Sequence, residues 1–157
     1  MPHLITQQYC LEMIPEFNDE GNLPEGIHNS SLQEFKERFC YNPKRAWLTD
    51  GLDLLLSNLT KAGCARVFID GSFVTAKKIP GDYDLLWSLD VQHPERIDPV
   101  LLDCEPANKA MAEARYRGDI FPAEIMEGGS GKPFLEFFQT DKNTGSKKGI
   151  VEILLRR

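Results

Sequence analysis

Two short runs in this 157-residue chain carry residue types suited to phosphate chemistry. The first is Gly71-Ser72, closing the apolar run "VFID". The second is Asp82-Tyr83-Asp84, opening "YDLLW". Side chains on a strand alternate between faces, so Asp82 and Asp84 are expected to point one way while Tyr83 and Leu85 enter a core. Two carboxylates that close repel, and one has its pKa raised unless something intervenes. A divalent cation removes the conflict, and oxygen ligands on a rigid strand suit Mg²⁺ or Mn²⁺. Glycine permits close backbone approach. A helix beginning near Gly71-Ser72 would aim free N–H groups and its positive dipole end at an anion such as a phosphate. The two runs together predict a phosphate-plus-metal site.

Their order, spacing and apolar flanks, from Gly71 to Leu85, resemble the signature of the nucleotidyltransferase superfamily related to DNA polymerase beta, in its small single-domain form. The resemblance extends over about residues 43–157, leaving the N-terminal stretch outside it. It implies that Gly71 and Ser72 hold a nucleoside triphosphate and that Asp82 and Asp84 bind the catalytic metals. It also implies a third carboxylate from a later strand. Asp119 in "YRGDIFPAEI" is the choice, with Glu124 and Glu152 as rivals. The implied reaction moves a nucleoside monophosphate from an NTP to a hydroxyl of RNA, a protein or a small molecule. The family analogy suggests a toxin–antitoxin or phage-defence setting, with a partner protein supplying specificity. The alternative is an inactive member that binds a nucleotide or a partner. One departure is Asp70, where the family usually has an apolar residue; it is placed either to cap the following turn or to sit near the metals. Lys77 and Lys78, on the same connection, are the candidates to offset it, and Lys77 is counted with Gly71 and Ser72 as a nucleotide contact. The competing reading of the two lysines is a solvated pair.

Positioning these residues requires an alternation of strands and helices. Residues 1–29 are rich in Pro, Gly, Asn and acidic residues and read as an irregular arm, with the domain at 30–157. "SLQEFKERF" begins a short helix, with Ser31 and Glu34 as a capping box. Asn42 and Pro43 start the main helix, in which Leu48, Leu52, Leu55, Leu56, Leu59 and Ala62 recur at helical spacing and which Gly63 ends. "RVFID" and "YDLLWSL" are strands, "NKAMAEARYR" is a helix, and "GDIFPAEI" is a strand that Pro122 confines to an edge or a bulge. "PFLEFFQT" is a short helix and "KGIVEILL" a last strand. The expected class is α/β (α+β), a small mixed sheet flanked by helices in a nucleotidyltransferase-like fold.

Composition narrows the rest. A net charge of −6 argues against a protein that coats nucleic acid, since such affinity comes from neutralising phosphates. Cys10, Cys40, Cys64 and Cys104 form no C-x-x-C pair, which predicts no zinc site and a reducing, cytoplasmic setting. The N-terminus lacks a basic-then-apolar pattern, so no signal peptide is expected, and no apolar run has the length of a membrane span. "EGGSGKP" fails the phosphate-loop pattern because Met126 and Pro133 stand at two required positions, and it reads as a turn. In "DKNTGSKKGIVE", Ser146 occupies the glycine position of a calcium loop, so Lys142, Lys147 and Lys148 read as a charged hairpin-like loop, with a basic edge for an RNA acceptor as the competing reading. Phe134, Phe137 and Phe138 read as core in preference to a base-stacking platform.

Overall fold

Asn42 starts the longest helix by accepting the Arg45 backbone N–H on its side-chain oxygen at 2.9 Å, with Pro43 at the first helical position. The computed structural model describes residues 14–156. His3, Cys10 and the rest of the arm before Ile14, with Arg157, lie outside them. In chain order the elements are strand β1 (Gly26–Ser30), helices α1 (Leu32–Phe39) and α2 (Pro43–Lys61), strands β2 (Arg66–Asp70) and β3 (Tyr83–Trp87), helix α3 (Pro106–Tyr116), strand β4 (Gly118–Pro122), the single turn α4 (Phe134–Phe137) and strand β5 (Gly149–Leu154).

The five strands form one mixed sheet in the order β1-β5-β2-β3-β4. Pairs β5–β2 and β2–β3 are antiparallel, and β1–β5 and β3–β4 are parallel. This is the expected α+β class. The stretch expected to be an irregular arm ends differently. Residues 26–30 are an edge strand beside β5, and Ile14 and Leu23 are buried in the main core. The last strand is what recruits them, since β5 would otherwise present an open edge.

Strand alternation gives the sheet two unlike faces. One carries Val67, Ile69, Tyr83, Leu85, Val151 and Ile153, packed under α1, α2 and α3. The α2 residues Leu48, Leu52, Leu55 and Leu59 are fully buried there, each contributing about 1.5–3 kcal/mol of apolar burial. The opposite face carries Phe68, Leu86 and Ile150, covered by Phe121, Ala123, Phe134, Leu135 and Phe138. Apart from Phe121 of β4, that cover is the crossover from β4 to β5, residues 123–148, which includes α4. The Pro122 strand lies at the edge, as its missing N–H requires.

Local expectations meet two corrections. Ser31 caps α1 by accepting the Glu34 N–H, but the Glu34 carboxylate accepts the Ile14 N–H at 3.0 Å instead of closing a capping box. The connection after β2 holds a three-residue 3₁₀ turn, Ser72–Val74, and no α-helix. Its course is set by Arg45, whose buried guanidinium donates to the carbonyls of Phe39, Phe73, Thr75, Lys77 and Lys78. With its carbonyls held by a guanidinium, the chain has no need of the helical ladder that the sequence suggested. Lys77 and Lys78 point to solvent from this loop.

Candidate functional site: a row of aspartates across three strands

The register of the central strands puts Asp84 opposite Asp70 on β2 and opposite Asp119 on β4. Tyr83 is buried on the helix side, with its hydroxyl donating to the Tyr116 carbonyl at 2.6 Å, so Asp84 faces away from that core, toward the crossover. Gly118 is needed for this, because a Cβ there would collide with the Tyr83 ring. Asp70, Asp84 and Asp119 thus form a single row, on cross-strand neighbours whose like charges are mutually destabilising.

Each member has a different environment. Asp70 is 1% exposed, and neither carboxylate oxygen has a hydrogen-bond partner. The Lys148 ammonium stands 3.6 Å from it, inside ion-pairing range and beyond hydrogen-bond length. Burial pushes the Asp70 pKa up to about 6, with Lys148 pulling the other way. Asp84 has no ammonium or guanidinium within ion-pair distance among the described residues. Burial first, then the charges of Asp70, Asp82 and Asp119, push it up to about 7. Asp119 is bound by Lys109 of α3, whose ammonium also donates to the Ile120 carbonyl and lies 3.5 Å from the centre of the Phe121 ring. Asp82, one residue before β3, is raised by burial and then by Asp119 and Glu113, against Lys44.

Gly71 closes the row on the β2 side. Its φ of 80° and ψ of −168° belong to glycine, and a Cβ there would lie 2.6 Å from Asp84 Oδ2. The bend therefore lies against Asp84, whereas Asp82 precedes β3. Ser72 enters only the 3₁₀ turn, where its carbonyl accepts from Thr75. A single 3₁₀ turn has no dipole comparable to a helix, so the anion-binding argument for Gly71-Ser72 loses its main term. Lys77 is exposed and remote in role: its carbonyl serves Arg45. The rival Glu124 is spent at the other end of β3, accepting from Ser88 Oγ and the Leu89 N–H. Glu152 pairs with Arg66 at 3.5 Å.

A cavity of about 470 Å³ opens over the row, lined by Asp84 and Asp119 on the sheet and by Ser130, Lys132, Phe137, Phe138, Thr140, Lys142 and Lys148 of the crossover. Of the two places open to Asp70, a cap on the turn or a position near the twin acids, the register against Asp84 decides for the second. Lys109 carries no local signal, and Lys132 and Lys148 read locally only as parts of a turn and of a charged loop. Phe134 and Phe138, expected as core, are partly buried against the second apolar cluster, and Phe137 is 38% exposed at the cavity wall.

The donor set is hard oxygen, short of positive partners, which suits Mg²⁺ or Mn²⁺. Among the described residues no three acidic, histidine or cysteine side chains close on one point as a finished cage. Mg²⁺ is commonly held by one or two carboxylates, with water and substrate phosphates completing its shell. Asp84 and Asp119, open to the cavity, are donors of that kind. No helix among the described residues is long and apolar enough to cross a membrane. No curated protein and no solved structure matches the chain. A family model does match, over residues 15–154, and by that match the chain belongs to DUF6932, a family of unknown function.

Proposed function

We infer that the protein is a metal-dependent nucleotidyltransferase, moving a nucleoside monophosphate from an NTP to a hydroxyl acceptor. The observation that carries this reading is Asp84, set in register between Asp70 and Asp119 and against the Gly71 bend, at the floor of an open cavity. Asp82, Asp84 and Asp119 would hold Mg²⁺ or Mn²⁺, with Asp70 beneath them. A divalent cation held there supplies charge neutralisation for a phosphate and acidity for a bound hydroxyl. The chain's own residues do the positioning. Tyr83 and Gly118 aim Asp84 outward, Arg45 fixes the loop that ends at Asp82, and Lys109 restrains Asp119.

The test is incubation with α-³²P-labelled NTPs, Mg²⁺ and a panel of RNA, protein and small-molecule acceptors, beside Asp84→Asn. Label transfer by the wild type alone is expected. Transfer that survives Asp84→Asn, or none with any acceptor, removes the assignment.

A second reading is a member of the same fold that binds a nucleotide without turnover. It is favoured by the 3₁₀ turn in place of a helix after Gly71 and by the Lys109–Asp119 pair, which occupies the third carboxylate. Pyrophosphate release would exclude it.

A further inference from the structure

We propose that the β4–β5 crossover, and not the Gly71-Ser72 turn, is the polyphosphate-binding half of this site, with Lys132, Lys142 and Lys148 as anion contacts and Phe137 as the wall for an aromatic ring. The inference rests on the nucleotide reading above, and it adds ligand contacts that the motif does not supply.

The cavity wall is divided by charge. Asp84 and Asp119 stand on the sheet side, and the three lysines stand on the crossover side with Ser130 and Thr140. A ligand that fills such a space must offer negative charge to one wall and tolerate or bridge the acids of the other, which is the chemistry of a polyphosphate ester carrying a cation. Neither Gly71, Ser72 nor Lys77 lines the cavity. The turn at Ser72 is too short to act as a helix N-terminus, and Lys77 faces solvent.

The lysines are available for this role. Among the described residues no carboxylate lies within ion-pair distance of Lys132 or Lys142, so their charges are not committed to the fold. Lys148 is partly committed, at 3.6 Å from buried Asp70, and so ties the anion side to the acid row. The backbone that carries the lysines is hydrogen-bonded. The Lys132 carbonyl accepts the Glu127 N–H at 2.7 Å, and the Lys148 N–H donates to the Gln139 carbonyl at 2.8 Å. The turn between Asp141 and Ser146 is closed by a 2.8 Å backbone hydrogen bond next to Lys142. Phe137 packs edge-on to Phe138, which is anchored on Phe121, so its exposed face is a fixed surface.

The experiment is calorimetric titration of the full chain, with Mg²⁺, using α,β-methylene ATP, inorganic tripolyphosphate and adenosine as separate probes. The variants are the double Lys132→Ala/Lys142→Ala, Phe137→Ala and, as a control, the double Lys77→Ala/Lys78→Ala. Loss of the two charge-assisted contacts should weaken both α,β-methylene ATP and tripolyphosphate by about tenfold or more. Phe137→Ala should weaken the ATP analogue and leave tripolyphosphate unchanged, and the Lys77/Lys78 control should stay within roughly twofold. Thermal melts of the variants check that these exposed substitutions leave the fold intact. Wild-type-like binding by the Lys132/Lys142 variant overturns the proposal, as does a wild type that binds neither phosphate probe. The two readings fail separately. Lysine-dependent binding without label transfer removes catalysis and keeps this site, whereas label transfer unaffected by the double variant keeps catalysis and removes this site.

Discussion

Gly71 and Asp84 are so close that a methyl group on the first would sit 2.6 Å from a carboxylate oxygen of the second. The backbone of Gly71 is also in a region that other residues scarcely enter. Gly71→Ala should therefore cost about 1–3 kcal/mol from backbone conformation alone and push Asp84 from its place. Urea denaturation should show a lowered midpoint. Under the proposed function, label transfer should fall further than the stability loss explains. An unchanged midpoint would contradict the geometry.

Raised aspartate pKa values make stability depend on pH with a definite sign. Asp70 and Asp84 are pushed up to about 6 and about 7 in the folded chain, chiefly by burial. In the unfolded chain they titrate near the ordinary value of about 4. Between those limits the folded state binds more protons than the unfolded state, so stability falls as pH rises from about 4 to about 7. Asp84→Asn should flatten that slope and leave the variant more stable than wild type at pH 8, though not at pH 4. Melting temperatures across this range check it, and a slope identical in both proteins would contradict it.

Cation binding should act on the same groups. Mg²⁺ should raise the wild-type melting temperature at pH 8, since a ligand that binds only the folded state stabilises it. Asp84→Asn should abolish the shift. Lys109→Met removes the ammonium that now neutralises Asp119 and should move the shift to lower Mg²⁺ concentrations. Shifts of equal size at equal concentrations in all three proteins would place the cation elsewhere.

Arg45 is the one fully buried arginine among the described residues, and its guanidinium serves five carbonyls. Arg45→Met should leave those acceptors without their donor and cost about 3 kcal/mol or more, as each unsatisfied buried group costs about 1–3 kcal/mol. Arg45→Lys should rescue little, because a compact ammonium lacks the planar fork that reaches several carbonyls at once. Limited proteolysis should cut the loop at Lys77 or Lys78 in both variants before it cuts the wild type. Equal resistance would show that the loop holds itself.

What could be read from the chain was local. The Asn42 cap, the leucine periodicity of α2, the edge position forced by Pro122 and the outward turn of Asp84 beside buried Tyr83 all depend on neighbours a few residues away. Other features depended on tertiary structure. Asp70 joins the acid row because β2 pairs with β3 in a particular register, and register is a property of two strands together. The helix expected after Gly71 is absent because Arg45, distant in sequence, claims the carbonyls of that loop. Lys109 and Lys148 reach the acids from α3 and from the end of the β4–β5 crossover, across separations that no spacing pattern encodes. The acids themselves were legible because strand periodicity orients a side chain, whereas the cations that balance them were not, because charge pairing is decided by which surfaces the fold brings together.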